Sequence, residues 1–316
     1  MTPRKAGILY LVLTIAVGIT GAGAVIFSIF SGGSLTLAAN FIIYPVMLGV
    51  CLFFMFISKE SPAEFFGFKG VKVSTFFLTI LFAALIYPIT NMIAVVSNML
   101  FGNPLESLDD SPMGVMVVMV FLCAPFFEEL VFRGAVFRGF RNSGRVAGPI
   151  LMSAFLFGLF HGNPTQFFYT GFLGIFLGLV ADATGSLWMP VLVHFLFNFT
   201  GIMIPLALEG ALESSQTTTG VQPAPIEIGG TQQMLFQSVQ LAVAIVIFLV
   251  VLGIALILMF LALKLLKRIA RIEGRENVYL KPMAPKGNSG QTVWSISLVI
   301  GIFLSVGAVV TSMVWR

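Results

Sequence analysis

The sequence predicts an all-α fold, a polytopic bundle of about nine transmembrane helices with its N-terminus in the cytoplasm. Three observations carry this. Of the 316 residues 58% are hydrophobic and only 9% charged, where a soluble domain carries roughly 25% charged residues. The mean hydropathy is +1.02. Apolar runs long enough to cross a bilayer core of ~30 Å recur along the whole chain.

The runs are 6–30, 35–57, 74–101, 113–133, 147–162, 166–182, 187–206, 238–263 and 293–315. Arg4 and Lys5 precede the first, in the manner of a signal peptide. Its apolar stretch exceeds the ~7–15 residues of a signal core, so a retained anchor is expected. Gly162-Asn163-Pro164-Thr165 is a turn signal between the short fifth and sixth runs. Four regions follow: a three-span part at 1–112, a four-span core at 113–206, an outer connector at 207–237 and a two-span part at 238–316. The connector is rich in Thr, Gly, Pro and Gln, the composition of a flexible linker.

Charge tests the number of spans. With the N-terminus inside, 16 of the 17 basic residues fall on cytoplasmic segments: Arg4 and Lys5, then Lys59, Lys69 and Lys72, then Arg133, Arg138, Arg141 and Arg145, then the seven from Lys264 to Lys286. Arg316 alone falls outside. The opposite loops carry Glu106, Asp109, Asp110, Glu209, Glu213 and Glu227 and no cation. This is the positive-inside asymmetry, and one miscounted helix would scramble it. The expected location is a bacterial cytoplasmic membrane. The basic stretch 264–286 reads as a binder of anionic lipid headgroups. No basic run with interleaved aromatics lies outside the membrane-flanking segments, so nucleic-acid binding has no support. Oligomeric state is not legible. Cys51 and Cys123 lie in apolar runs and read as inert packing thiols.

Ionisable residues inside hydrophobic spans are costly and mark function. Here they concentrate in the core: Glu128, Glu129 and Arg133 on the fourth span, His161 on the fifth and His194 on the seventh, where the polar Asn198 follows. Glu129 and Arg133 are four apart on one helical face and can pair. Glu128 is turned ~100° away and left free. His194 and Asn198 are again four apart and share a face. Two histidines, a free carboxylate and an amide suit a site that activates water and holds an oxyanion. The depths of these residues agree best if the fourth helix continues toward Phe140, with Arg133 buried against Glu129. The site is then inside the membrane, open to the cytoplasmic side. Smaller features have structural readings: Asp182 as a helix cap, Gly174-x-x-x-Gly178 and Gly158-x-x-x-Gly162 as packing faces, and Phe157 as a buttress for the His161 ring.

Glu128-Glu129-x-x-x-Arg133, Phe157-x-x-x-His161, and Thr184-Gly185-Ser186-Leu187 leading to His194-x-x-x-Asn198 together resemble the three-motif signature of the CAAX-protease and bacteriocin-processing family. These are intramembrane endopeptidases, usually labelled metalloproteases. The resemblance covers about 115–205. It implies that Glu128 and His161 bind and deprotonate a water, that His194 and Asn198 donate to the oxyanion, and that Glu129 and Arg133 support the helix. The competing mechanism places Zn²⁺ on His161, His194 and Glu128. The metal-free form is preferred, with no cofactor, because Asn198 is a poor zinc ligand and a good oxyanion donor. The expected substrate is a membrane-associated protein or peptide. Two rivals remain: a catalytically silent adaptor or bacteriocin-immunity protein of the same fold, and a proton-coupled transporter. The complete Glu/His/Asn set argues against the first. The lack of a polar path across the helices argues against the second.

Overall fold

The computed structural model describes residues 1–31, 35–102, 117–219, 230–285 and 293–314. They form α1 (Pro3–Ser31), α2 (Leu35–Ser58), α3 (Pro62–Phe66), α4 (Val73–Phe101), α5 (117–141), α6 (Ala147–Phe160), α7 (Pro164–Thr184), α8 (Trp188–Thr219), α9 (Gly230–Ile272) and α10 (Ile296–Val314), with no strand among the described residues. Each expected span falls on one of these helices. Among the described residues six stretches are long and apolar enough to cross a membrane: Pro3–Phe27, Val73–Phe101, Pro164–Thr184, Trp188–Leu208, Ser238–Ile272 and Ile296–Val314. Ile42–Ser58 and Ala147–Phe160 are shorter apolar helices. Large apolar side chains such as Phe56, Phe77 and Phe303 stay exposed on the outside of the bundle, as lipid-facing positions require.

Local sequence sets the helix ends. Ser61 caps α3 in a reciprocal capping box with Glu64, with Pro62 in the first turn. Asn163 caps α7 by accepting from the Gln166 amide, with Pro164 following. Gly185 closes α7 at φ 67°, a left-handed conformation that favours glycine. The connector 207–237 is helical at 207–219 and 230–237, and 220–229 lies outside the described residues. Apolar periodicity alone does not reveal these helical extensions, because polar residues interrupt it.

Helix α5 is the centre of the bundle. It touches α1, α2, α3, α6, α7 and α8. It continues past Arg133 to Arg141, the longer version that the depth argument favoured. Its winding was not foreseen. Val117–Cys123 and Leu130–Phe137 are π-helical, flanking an α-helical turn at Ala124–Glu129. Pro125 has no N–H to return to the preceding turn, which accounts for the wider winding ahead of it. Helices α6 and α7 pack closely as an antiparallel hairpin. A Cβ on Gly158 would lie 2.7 Å from the Phe167 carbonyl oxygen, and one on Gly174 2.9 Å from Ala154 Cα. Gly158, Gly174 and Gly178 are therefore packing glycines. Gly162 is not: it sits in the α6–α7 turn at φ 68° with open space around it.

The segments assigned to the cytoplasm meet at one end of the bundle. Leu187 N–H donates to the Gly67 carbonyl and Met283 N–H to Gly144. Arg138 donates to the Gly185 carbonyl at 2.5 Å, and Asn142 to the Met1 carbonyl at 2.8 Å. At the other end Thr165 donates to the Phe101 and Gly102 carbonyls. This sorting follows the alternation that the charges predicted. Asp182 differs from its expected capping role. It lies in the last turn of α7, where its side chain accepts from Arg141 Nε at 3.0 Å and from Leu280 N–H at 2.8 Å. Arg141 donates further to the carbonyls of Arg145, Val278 and Lys281. The segment after α9 is thus strapped onto the core. Burial also acts on this end: desolvation lowers the pKa of Arg138 to about 10, and burial raises that of Tyr279, with the Asp182 charge adding to the effect.

Replacing Asp182 by Ala should leave the Arg141 guanidinium without its counter-charge and lower the thermal unfolding midpoint in detergent. A buried pair broken on one side costs about 3–5 kcal/mol. An unchanged midpoint for Asp182→Ala would show that the strap is not held there.

Candidate active site

Glu128, Glu129, Arg133, His161 and His194 come together on α5, α6 and α8, while the hydrogen bond of Asn198 goes to the Val120 carbonyl. Glu128 and Glu129 end the α-helical turn between the two π-helical stretches of α5. His161 follows the last residue of α6 and His194 lies near the start of α8. Twelve residues separate Glu129 from Arg141 at the cytoplasmic end, about 18 Å of helix. The cluster therefore lies deep in the bundle.

Glu129 is fully buried and Arg133 is 1% exposed. Arg133 Nη1 donates to Glu129 Oε1 at 2.8 Å and Nη2 to the Gly174 carbonyl at 3.1 Å. The pairing that i, i+4 spacing predicted is present. Spacing did not predict the third partner. His194 Nδ1 lies 3.0 Å from the same Glu129 oxygen, so the supporting carboxylate also orients an imidazole on another helix. Glu128 points elsewhere, as the ~100° offset required. Its Oε2 lies 3.8 Å from His161 Nε2 and 3.9 Å from His194 Nε2, and its side chain is 13% exposed. This buried oxygen has no hydrogen-bond partner among the described residues.

The partners of the ring nitrogens fix the tautomers. His161 Nδ1 lies 2.9 Å from the Phe157 carbonyl oxygen, which can only accept, so Nδ1 carries the proton. His194 Nδ1 faces the Glu129 carboxylate and carries a proton for the same reason. Both Nε2 atoms therefore face Glu128. Separations of 3.8–3.9 Å are too long for direct hydrogen bonds and suit a bridging group.

Phe157 is more than a buttress for one ring. Arg133 Cζ sits 4.4 Å from its centroid, and the His161 and His194 rings meet it edge-on at 5.0 and 5.6 Å. Sequence reasoning missed Thr170, whose hydroxyl is 3.4 Å from His161 Nδ1. It also missed the tie from Asn198 Nδ2 to the Val120 carbonyl at 3.0 Å. It gave no sign of Tyr44, which stacks on Phe127 beside the two glutamates at a centroid distance of 5.3 Å. None of these has a signal in spacing, since each partner is on a different helix.

Zinc bound by His161, His194 and Glu128 would hold its ligands about 3.4 Å apart at bond lengths of ~2.0–2.1 Å. The separations from Glu128 are 3.8 and 3.9 Å, and the donor types suit the ion.

The described helices form a multi-helix bundle with a Glu/His cluster at its centre. The family model described as Type II CAAX prenyl endopeptidase Rce1-like matches residues 111–200, the segment that contains every one of these side chains. The family likeness drawn from the motifs stands on that segment, and the family is one of proteases. No curated protein and no solved structure matches the chain.

Arg133→Lys should fail to replace Arg133, since one ammonium cannot serve Glu129 and the Gly174 carbonyl while lying flat on Phe157. The expected result is a destabilised protein, with Arg133→Ala costing about 3–5 kcal/mol. Thermal unfolding in detergent measures both, and a wild-type midpoint for Arg133→Lys would contradict the bridging geometry.

Proposed function

We propose that the chain is an intramembrane endopeptidase that hydrolyses a peptide bond of a membrane-associated protein or peptide through glutamate-activated water. The observation that carries this reading is the convergence of the His161 and His194 Nε2 atoms on a buried Glu128 oxygen with no hydrogen-bond partner among the described residues. A water in that gap would donate to the carboxylate and to His161. Glu128 takes its proton as the oxygen attacks the scissile carbonyl, and returns it to the leaving amine when the C–N bond breaks. Asn198 spends one amide hydrogen on the Val120 carbonyl, which orients its second toward an oxyanion. His194 donates from Nε2 when the ring is doubly protonated, with Glu129 facing that charge across 3.0 Å. Each oxyanion donor in other proteases contributes ~2.7–4 kcal/mol. Glu129 and Arg133 hold the rings and the helix.

The description of the matched family names CAAX prenyl substrates. The coarser class, a membrane-associated polypeptide, is what we carry to this chain, since no feature in it selects a lipidated substrate. The charge asymmetry supports a site open toward the cytoplasmic side, with a bacterial cytoplasmic membrane as the expected setting. No step is routed through zinc.

Purified protein should cleave a membrane-proximal peptide bond, and Glu128→Gln or His161→Ala should reduce turnover by about 10²–10⁴-fold while retaining the wild-type unfolding midpoint. Normal cleavage by a stably inserted Glu128→Gln protein would sink the mechanism. A silent adaptor would show no cleavage in any form. Metal analysis separates the competing chemistry: full activity is expected after exhaustive chelation, and a reversible loss that tracks stoichiometric zinc would install the metal reading instead.

A further inference from the structure

Many of the cytoplasmic cations are engaged by the protein itself. Arg138, Arg141 and Arg275 donate to Gly185, Asp182 and the strap, and Lys72 donates to the Ile272 carbonyl. The cations at the end of α9 are placed differently. Lys264, Lys267, Arg268 and Arg271 are all exposed, and their spacing of i, i+3, i+4 and i+7 sets them on one helical face. The opposite face is the packed one. Ala262, Leu266 and Ile269 are fully buried on the side of α9 that meets α4 and α7.

Followed toward the membrane, the basic face becomes apolar and remains exposed at Val250, Ile257, Phe260 and Leu261. The changeover is sharp. Lys264 Nζ lies 4.4 Å from the Phe260 ring centroid, so the first cation folds back over the last exposed aromatic. Among the described residues Glu276 approaches Arg271 to 3.4 Å with both side chains largely exposed, a weak pair.

We propose that this face of α9 binds an anionic phospholipid, with its acyl chains along Val250, Ile257 and Phe260 and its phosphate held by Lys264, Lys267, Arg268 and Arg271. The four cations span about 10 Å of helix, a length that matches a headgroup and its neighbours. The sequence of apolar then cationic surface on one uninterrupted face is complementary to an amphiphile, and a soluble anion would use only half of it. This inference is independent of the peptidase reading.

The test uses the full chain in neutral detergent, titrated with dioleoylphosphatidylglycerol or dioleoylphosphatidylcholine and read by native mass spectrometry of the bound lipid. The wild type should prefer phosphatidylglycerol by about tenfold or more. The K264Q/K267Q/R268Q/R271Q variant should lose that preference, and K59Q/K69Q, which removes two exposed cations elsewhere on the cytoplasmic side, should keep it. If the fourfold variant does not insert, R268E alone should weaken the preference in the same direction. Equal loss in K59Q/K69Q would overturn the proposal in favour of diffuse surface charge. Displacement of the lipid by millimolar inorganic phosphate would overturn it in favour of a simple anion site. No preference in the wild type would overturn it outright.

Discussion

The arrangement at the centre of the bundle depends on one ion pair, Glu129 with Arg133, closed off from solvent on α5. In a low-dielectric interior neither charge is tolerable alone, so each fixes the other. Each also reaches a second helix. The Glu129 oxygen meets His194 on α8, and the Arg133 guanidinium meets the Gly174 carbonyl on α7 and the Phe157 ring on α6. Four helices are therefore registered by two side chains. The close approach of α6 and α7 is part of the same constraint, because a Cβ on Gly174 would meet Ala154 and, at 3.1 Å, the guanidinium itself.

The cytoplasmic end applies a second constraint about three turns of α5 away. Asp182 and Arg141 join the ends of α7 and α5 and secure the segment that follows α9. Glu273 adds to this by accepting from Thr75 and from the Lys72 backbone at the start of α4. Helices α5, α7 and α8 are thus fixed in height at their cytoplasmic ends and in rotation at their centre. Those are the quantities that bring Glu128 within 4 Å of two imidazoles from different helices. Helix α9 reaches the cluster only indirectly, through its contacts with α4 and α7 and its strap.

Much of this was legible because lipid makes polar residues conspicuous. In a chain with two histidines and 13 acidic residues, each one inside an apolar run is a signal. The pairing of Glu129 with Arg133 followed from a spacing of four, and the direction of the bundle followed from where the cations lie. What escaped notice has one physical character. The contacts of His194 with Glu129, of Asn198 with Val120 and of Arg141 with Asp182 join different helices, and spacing along one helix carries no information about another. Arg133 shows the converse. It entered the charge asymmetry as a cytoplasmic cation, yet it is buried within α5, and the asymmetry survives because the other cytoplasmic cations do not depend on it. The π-helical winding around Pro125 was invisible for a further reason: apolar residues on every side of α5 leave no periodicity from which to measure its pitch.

Two adjacent glutamates with different surroundings are what a hydrolytic site of this kind needs. Identical carboxylates in identical settings would compete for one proton and divide one task between them. Here a single residue of helix separates a carboxylate held by a guanidinium from one that faces two imidazole nitrogens. The short α-helical turn between π-helical stretches produces that separation, because it sets Glu128 and Glu129 about 100° apart on α5. Had the wider winding continued through both residues, the angle between them would shrink and Glu128 would turn toward Arg133. In the proposed mechanism the acid–base function of Glu128 therefore rests on local backbone geometry, and the neighbouring ion pair holds that geometry in place.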